Sequence, residues 1–184
     1  MSRLLSTKLI ALLSLGGLLS ASGPPGIWLD VPFIKQEKNG CGAASIAMVM
    51  QYWLQKEGHP AGDSADPAHI QNTLYSRQAR GIYGSAMGNY FREQNFRTFT
   101  FQGRWSDLEQ HLIKGRPLIV MLKPARHAPP HYVVVTGLDP AQRLVLVNDP
   151  GERKLLKVDR SSFEKSWNAA GNWTLLAVAQ RAIP

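Results

Sequence analysis

The sequence contains one cysteine, Cys41, in 184 residues, and what it lacks excludes several kinds of site. Without a second cysteine, no disulfide can form within the chain and no zinc site can be built from paired thiolates. His127 and His131 are four residues apart, but Pro129 and Pro130 lie between them. These prolines prevent the helix that would align two imidazoles on one metal ion. We therefore expect no metal site.

The sequence also lacks a concentrated basic region. It has 21 lysines and arginines against 13 aspartates and glutamates, which gives a formal net charge of +8. The basic residues are scattered, and no basic run alternates with aromatic residues as it does in many nucleic-acid-binding proteins. We expect no nucleic-acid partner, and we interpret the charge as a solvated surface that favours acidic partners or an anionic cell envelope.

Long hydrophobic runs are scarce, and the longest lies at residues 9–19. Basic residues precede it and small residues follow it, which is the pattern of a secretory signal. Because a membrane-spanning helix needs about 20 apolar residues, cleavage after Ala21 or Ser22 is favoured over a retained anchor. We predict a signal peptide at residues 1–22 and a periplasmic or secreted domain at residues 23–184, with no stable membrane insertion after cleavage.

The predicted domain begins with segments that favour helices. Residues 43–55 are apolar almost all the way round, which is typical of a helix at the centre of a domain. The predicted helices are residues 43–55, 67–75 and 85–93, one that starts at a capping box at residues 106–109 and ends before Gly115, and one at a capping box at residues 161–164.

The second half of the domain favours strands. The predicted strands are residues 118–122, 132–138, 143–147, 154–158 and 173–179, most of them separated by short turns. With 44% hydrophobic residues, the chain is long enough for one domain with a substantial core. Helices followed by an antiparallel sheet predict an α+β fold.

Cys41 has an unusual setting for an exported thiol. An oxidising compartment favours paired cysteines, so a lone cysteine there needs an explanation. One alternative is an inert buried cysteine that acts as a small hydrophobe. However, Cys41 is flanked by Gly40 and Gly42 after a polar segment and opens an apolar helix. Unpaired amides and the helix dipole favour a thiolate at that position, so we predict a nucleophile.

Acyl transfer by a cysteine also needs a base, a group that orients it and a donor to the oxyanion. His131 heads an apolar strand and is the candidate base, with an exposed strand-end histidine as the alternative. Asp149 is the candidate orienting group, with a turn-forming aspartate as the alternative. Asn148 is its rival, and because neighbouring strand residues face opposite sides, only one of the two should point toward His131. Gln36, five residues before Cys41, is the candidate oxyanion donor or else a surface glutamine.

Taken together, these residues resemble the papain-like C39 peptidases, the double-glycine leader peptidases and their stand-alone relatives. The matching segments, in family order, are residues 31–33, 39–45, 105–120, 131–137 and 147–150. The resemblance implies a papain-like fold with the nucleophile on the central helix, and it implies no metal or organic cofactor. It also implies Cys41 as nucleophile, His131 as base, Asp149 as the orienting group and Gln36 as the oxyanion donor.

Two features depart from the family pattern. Gly40 stands where the family often has aspartate, and the interval from Gln36 to Cys41 is five residues where six is frequent. The resemblance further implies a protein or peptide substrate. Some exported relatives serve secretion systems, including those for functional amyloid, so a secretion-system component is an expected partner.

Two other functions stay open at this point. Papain-like cell-wall peptidases use similar cysteine and histidine residues on exported proteins, but their substrate is a peptidoglycan stem peptide. A degenerate peptidase could instead bind a client peptide without cleaving it. The presence of Cys41, His131 and Asp149 together favours an enzyme over this non-catalytic binding module.

Overall fold

The computed structural model describes residues 25–125 and 127–180, and its helices lie close to the predicted ones. They are α1 (Cys41–Lys56), α2 (Pro67–Leu74), α3 (Gly84–Glu93), α4 (Trp105–Ile113) and α5 (Arg160–Asn168), with a short 3₁₀ turn at Asp63–Ala65. The predicted signal peptide at residues 1–22 lies outside the described residues, as do the first two residues of the predicted domain.

In the part of the chain that the structure describes, seven strands form one antiparallel sheet. They are β1 (Ile27–Trp28), β2 (Phe96–Gln102), β3 (Leu118–Leu122), β4 (His131–Asp139), β5 (Leu144–Asn148), β6 (Leu156–Asp159) and β7 (Trp173–Ala179). Their order across the sheet is β2, β7, β3, β4, β5, β6, and β1 pairs with β4. The predicted α+β class is confirmed.

Helix α1 lies at the centre of the domain because it is apolar on nearly every face. Ile46, Met48 and Met50 are at most 2% exposed, and the helix packs against both α2 and β4. Burial of an aliphatic side chain of this size contributes about 1.5–3 kcal/mol. The helix is therefore held firmly from its first turn onward, where Cys41 lies.

The opposite face of the sheet is covered by α4 and α5. Leu108, Leu112, Phe163 and Trp167 pack there against Val120, Val133 and Val135. Val134, which lies between two of these valines, belongs instead to the core on the α1 side. Because successive strand residues face opposite sides, β4 is buried on both faces, which explains its continuous apolar sequence.

Strand β2 was not predicted from the sequence. It lies between α3 and α4 and pairs with β7 along its whole length, from Phe96 opposite Ala179 to Gln102 opposite Trp173. The apolar residues of β2 do not alternate strictly with polar ones, so the local pattern is weak. Pairing with the last strand of the domain makes this segment a strand, and that contact is remote in sequence.

Helix α4 begins before the capping box predicted at residues 106–109. Its N-cap is Arg104, and the Asp107 carboxylate accepts a hydrogen bond from the Arg104 amide at 2.8 Å. The carboxylate therefore pairs a backbone donor that the helix itself leaves free. Trp105 is the first residue of the helix, and its ring stacks against the Arg160 guanidinium, which lies 3.8 Å from the ring centroid. Packing against α5 therefore sets where α4 starts.

Helix α5 likewise starts ahead of the predicted capping box at residues 161–164. Its N-cap is Asp159, the last residue of β6, whose Oδ1 accepts from the amides of Ser161 at 2.9 Å and Ser162 at 3.2 Å. Aspartate is among the best N-cap residues, so it competes successfully with the serines for this position. In both helices the predicted box is wrong by two residues and the predicted helix is confirmed.

The described residues carry neither a membrane-crossing helix nor a metal cluster. In residues 25–125 and 127–180, no helix combines the length and the apolar character that a membrane span requires. In the same residues, histidine, cysteine, aspartate and glutamate side chains do not gather in groups of three or more that could hold a metal ion.

Candidate active site

Cys41 is the first residue of α1 and is partly buried at the floor of a cleft. Gly40 is the N-cap and provides no side-chain hydrogen bond to the helix, so the first amides of the helix stay available. Gly42 is buried against Ile82 and Met87, and a Cβ at residue 42 would lie only 3.0 Å from the Met87 methyl group. Close packing therefore fixes the first turn that carries the thiol.

His131 is the first residue of β4 and pairs with Leu122 of the neighbouring strand β3. Its side chain is 27% exposed, and its Nε2 lies 2.6 Å from Oδ1 of Asp149. The imidazole is also close enough to the Cys41 thiol for the two groups to shift each other's pKa. Because Nε2 is engaged by the carboxylate, Nδ1 is the ring nitrogen that serves the thiol. The structure thus brings the sulfur, the imidazole and the carboxylate together.

Asp149 directly follows β5, and its Oδ1 has two hydrogen-bond partners. Gly151 donates its amide to Asp149 Oδ1 at 2.9 Å, on the same oxygen that meets His131. A Cβ at residue 151 would lie 3.3 Å from that oxygen and 3.6 Å from Cε1 of His131. Glycine therefore leaves the space beside the pair open.

The rival residue Asn148 points to the other side of β5. It is fully buried, its Nδ2 donates to the Val31 carbonyl at 3.0 Å, and its Oδ1 accepts from the Leu155 amide at 3.0 Å. These bonds tie the N-terminal segment to the β5–β6 connection. The expectation that only one of the two neighbours faces His131 is met, and the residue that does so is Asp149.

Gln36 lies next to the Asp149 turn, because its backbone amide donates to the Pro150 carbonyl at 2.9 Å. Its Oε1 is buried and has no hydrogen-bond partner among the described residues, and a Cβ at residue 151 would lie 3.7 Å from it. The side chain therefore faces the site and is not a solvated loop glutamine. Its predicted role as oxyanion donor stays a prediction.

The ionisation of Cys41 and His131 is set by burial and by their mutual contact. Burial on its own would raise the pKa of the Cys41 thiol, but the His131 hydrogen bond and the Tyr132 amide outweigh it, and the pKa is lowered. Burial would lower the pKa of His131, but its hydrogen bonds with Asp149 and Cys41 raise it to about 9. These shifts favour a thiolate beside an imidazolium near neutral pH.

The carboxylate partner is shifted in the matching direction. Burial would raise the pKa of Asp149, but the hydrogen bond with His131, the charge of its imidazolium and the amide of Gly151 lower it. Asp149 therefore stays ionised where His131 is protonated. A fixed carboxylate of this kind orients the imidazole and stabilises its positive charge.

Two features of this site were not identified from the sequence. The Tyr132 amide lowers the pKa of the Cys41 thiol, and the Gly151 amide donates a hydrogen bond to Asp149. Both are backbone groups, so the residue type carries no signal for them. The only available signal was position, since Tyr132 follows the candidate base and Gly151 lies two residues after the candidate carboxylate.

A cleft of about 760 Å³ opens beside Cys41. We call it the Cys41 cleft, and its lining includes Arg80, Tyr83, His127, Tyr132 and Trp173. The Trp173 ring packs edge-on against Tyr132, with centroids 5.3 Å apart. It also lies directly over Gly84, where any Cβ would come within 2.6 Å of it. The cleft therefore has a rigid aromatic wall next to the sulfur.

Comparison with protein families gives the assignment. The model of the Peptidase_C39 like family matches residues 28–175, a range that contains Gln36, Cys41, His131 and Asp149. The chain belongs to the Peptidase_C39 like family. The family and the fold are those of a cysteine peptidase, which confirms the resemblance inferred from the sequence. No curated protein sequence matches the chain significantly.

Solved structures show the same fold. A protein from Bacillus anthracis described as a C39-like peptidase has 19% identity and a TM-score of 0.67, with 85% of this chain and 99% of that chain covered. A double-glycine motif protease from an AMS/PCAT transporter, in complex with the leader peptide, has 21% identity and a TM-score of 0.61, with coverage of 83% and 94%. Xylellain, a cysteine protease from Xylella fastidiosa, has 12% identity and a TM-score of 0.54, with coverage of 88% of each chain.

The pH dependence of this C39-family site should depend on Asp149. In the wild type, kcat/KM should rise as Cys41 ionises below its ordinary pKa and fall as His131 loses its proton near pH 9. Asp149→Asn removes the charge that raises the His131 pKa, so the alkaline limb should move to lower pH, with a loss of about ten-fold at pH 8. The measurement is a pH profile of kcat/KM for peptide hydrolysis.

The matched control for this profile is Asp159→Asn. Asp159 also has a lowered pKa, because of its bonds to Ser161 and Ser162, but it caps α5 and does not contact His131. Its substitution should leave the alkaline limb in place. An alkaline limb that stays near pH 9 in Asp149→Asn would show that the carboxylate does not set the His131 pKa.

Proposed function

We propose that this chain is an exported cysteine peptidase that hydrolyses a peptide bond of a protein or leader-peptide client through Cys41, His131 and Asp149. The observation that supports this most strongly is the series of interactions from Asp149 through His131 to Cys41. A 2.6 Å hydrogen bond joins Asp149 and His131, and His131 and Cys41 lie close enough to shift each other's pKa. A structural cysteine in a core needs no such series, whereas a nucleophile needs a base within hydrogen-bond reach and a group that orients the base.

In the first half of the proposed reaction, the Cys41 thiolate attacks the carbonyl carbon of the scissile bond. A carbon–sulfur bond forms, and the carbonyl electrons move to oxygen. The tetrahedral intermediate collapses when the C–N bond breaks and His131 gives its proton to the leaving amine. An acyl-enzyme thioester remains, and the imidazole is now neutral.

In the second half, neutral His131 takes a proton from a water molecule as that water attacks the thioester carbonyl. The carbon–sulfur bond then breaks, which releases the carboxylic acid and restores the thiolate beside the imidazolium. Asp149 keeps the same ring nitrogen engaged in both halves, so Nδ1 faces the reacting atoms throughout.

The negative oxygen of each intermediate requires hydrogen-bond donors. We propose the Cys41 backbone amide and the Gln36 side-chain amide for this role. The first amides of α1 have no acceptor within the helix, and the buried Oε1 of Gln36 leaves its Nε2 as the end available to a substrate. Loss of one such donor typically slows the reaction by 10²-fold or more.

The proposed client is a protein or a leader peptide that meets the enzyme outside the cytoplasm. Export is supported by the signal pattern at residues 1–22, with the domain following at residues 23–184. A peptide client is supported by the structural similarity to a double-glycine motif protease that was solved in complex with the leader peptide. We further propose an accessory role in a secretion or functional-amyloid export system.

This function can be tested by comparing exported proteins from cells that carry the wild-type chain and cells that carry Cys41→Ala. New N-termini should appear in the wild-type sample and be absent from the variant, and they would report the client and the scissile bond together. Identical N-termini in both samples, combined with specific capture of a peptide, would instead favour the non-catalytic binding module. Release of stem peptides from purified sacculi would favour the cell-wall peptidase.

A further inference from the structure

Arg80 is a cationic residue of the Cys41 cleft, and its backbone lies in a well-defined turn. Arg80 lines the cleft and sits in a tight turn closed by two backbone hydrogen bonds, from Ser76 to the Gly81 carbonyl at 2.8 Å and from Gly81 to the Ser76 carbonyl at 3.3 Å. The Ser76 hydroxyl also accepts from the Ala79 amide at 3.3 Å. Arg80 has a positive φ of 48° within this turn, so its backbone is held in one specific conformation.

This turn lies against the segment that carries the nucleophile. A Cβ at Gly81 would be 3.9 Å from the Asn39 carbonyl oxygen, two residues before Cys41. The next residue, Ile82, packs on Gly42, where a Cβ would be 3.1 Å from the Ile82 Cβ. One contact before Cys41 and one contact after it therefore fix the Arg80 turn relative to the nucleophile segment.

The described residues provide no ion-pair partner for Arg80. Within residues 25–125 and 127–180, no carboxylate lies within 4.0 Å of its guanidinium. The described lining of the cleft includes Arg80 and His127 but no aspartate or glutamate. The nearby thiolate is already paired with the His131 imidazolium. An exposed cation in a cleft without acids attracts an anionic group on whatever occupies the cleft.

The proposed mechanism gives the two halves of a substrate different sides of the site. His131 gives its proton to the leaving amine, and the space at Gly151, beside the imidazole, is open to the residues after the scissile bond. Neither Asp149 nor Gly151 lines the Cys41 cleft. In this arrangement the Cys41 cleft is left to the residues before the scissile bond, and Arg80 lines it.

We propose that Arg80 is a specificity-determining residue that selects substrates with an acidic side chain on the acyl side of the scissile bond. This inference rests on the proposed peptidase function. An ion pair at an exposed arginine favours the charged ligand by about five-fold or less, so Arg80 biases the choice among peptides that already fit the cleft. High salt should weaken the bias because the pair is open to solvent.

The test uses peptide probes that alkylate Cys41. The probes are N-acetyl tetrapeptide acyloxymethyl ketones with glycine next to the ketone. One of the other three positions carries aspartate, asparagine or lysine, and the remaining two carry alanine. Each of the three positions is varied in turn. The thiolate forms a carbon–sulfur bond and displaces the carboxylate group. At one or more positions, aspartate should raise the second-order labelling rate by about five-fold over asparagine, and lysine should lower it. The preference should shrink toward one at about 1 M NaCl.

The matched variants are Arg80→Gln, Arg80→Glu and Arg77→Glu, each checked for folding by its thermal unfolding. Arg80→Gln should remove the preference and Arg80→Glu should reverse it to favour lysine. Arg77 is an exposed arginine of the same turn outside the described cleft lining, so Arg77→Glu should keep the wild-type preference.

Two results would overturn the inference in distinguishable ways. Equal labelling by all three peptides, or an aspartate preference that survives in Arg80→Glu, would reject the role of Arg80 and leave the peptidase proposal standing. If iodoacetamide labels Cys41 and none of the peptides does, the cleft accepts no substrate-like chain, and the peptidase proposal and this inference both fail.

Discussion

Cys41→Ala should abolish peptide hydrolysis, with a loss of about 10⁵-fold or more. Cys41 is the only cysteine in the sequence, so no second thiol can replace it, and alanine offers no nucleophile. The side chain that is lost is small and only partly buried, so the free energy of unfolding should change by less than about 1 kcal/mol. Hydrolysis is measured on a client identified from the N-termini, and stability by thermal unfolding.

Because the sequence has no other cysteine, thiol labelling reports on Cys41 alone. A thiol reagent should label one site per chain in the wild type and none in Cys41→Ala. Cys41→Ser serves as a second variant, since it keeps nearly the same volume with a much weaker nucleophile, and it should be almost as inactive. Retained cleavage by the alanine variant would show that the sulfur is not the nucleophile.

His131→Ala should slow alkylation of Cys41 at pH 7 by about thirty-fold and reduce hydrolysis by about 10³-fold or more. Without the imidazole, the thiol loses the contact that lowers its pKa, and only a few per cent of an ordinary thiol is ionised at pH 7. Hydrolysis falls further because the leaving amine also loses its proton donor. The measurements are iodoacetamide labelling rates from pH 5 to 10 and peptide turnover at the same pH values.

The control for this variant is His69→Ala. His69 is an exposed residue of α2, so its removal changes the histidine count without touching the site, and the alkylation rate should stay at the wild-type value. If His131→Ala also alkylates at the wild-type rate, the imidazole does not activate the sulfur.

Cys41, His131 and Asp149 could be proposed as site residues from the sequence because their local patterns are strong. Cys41 opens an apolar helix, His131 heads an apolar strand, and Asp149 follows another strand before a proline. The alternation of strand residues also predicted that only one of Asn148 and Asp149 would point toward His131. In the structure Asp149 meets His131, whereas Asn148 joins the N-terminal segment to the β5–β6 connection.

Other elements could not be predicted because remote contacts decide them. Strand β2 exists through its pairing with β7, which lies more than 70 positions later in the sequence. The true caps of α4 and α5 are Arg104 and Asp159, and the stacking of Trp105 on Arg160 links the two helix starts. The predicted capping boxes match the local pattern but ignore this packing between distant segments.

The amino-acid sequence alone specifies which chemical groups this protein offers: one thiol, a strand-end histidine, a carboxylate before a proline, and the helix and strands that carry them. Local apolar patterns specify these elements, so they can be identified without a fold. Tertiary folding sets which carboxyl oxygen meets His131, which shifts the thiol and imidazole pKa values undergo, and which arginine lines the cleft. Each of these depends on distances between groups far apart along the chain, and such distances exist only after folding.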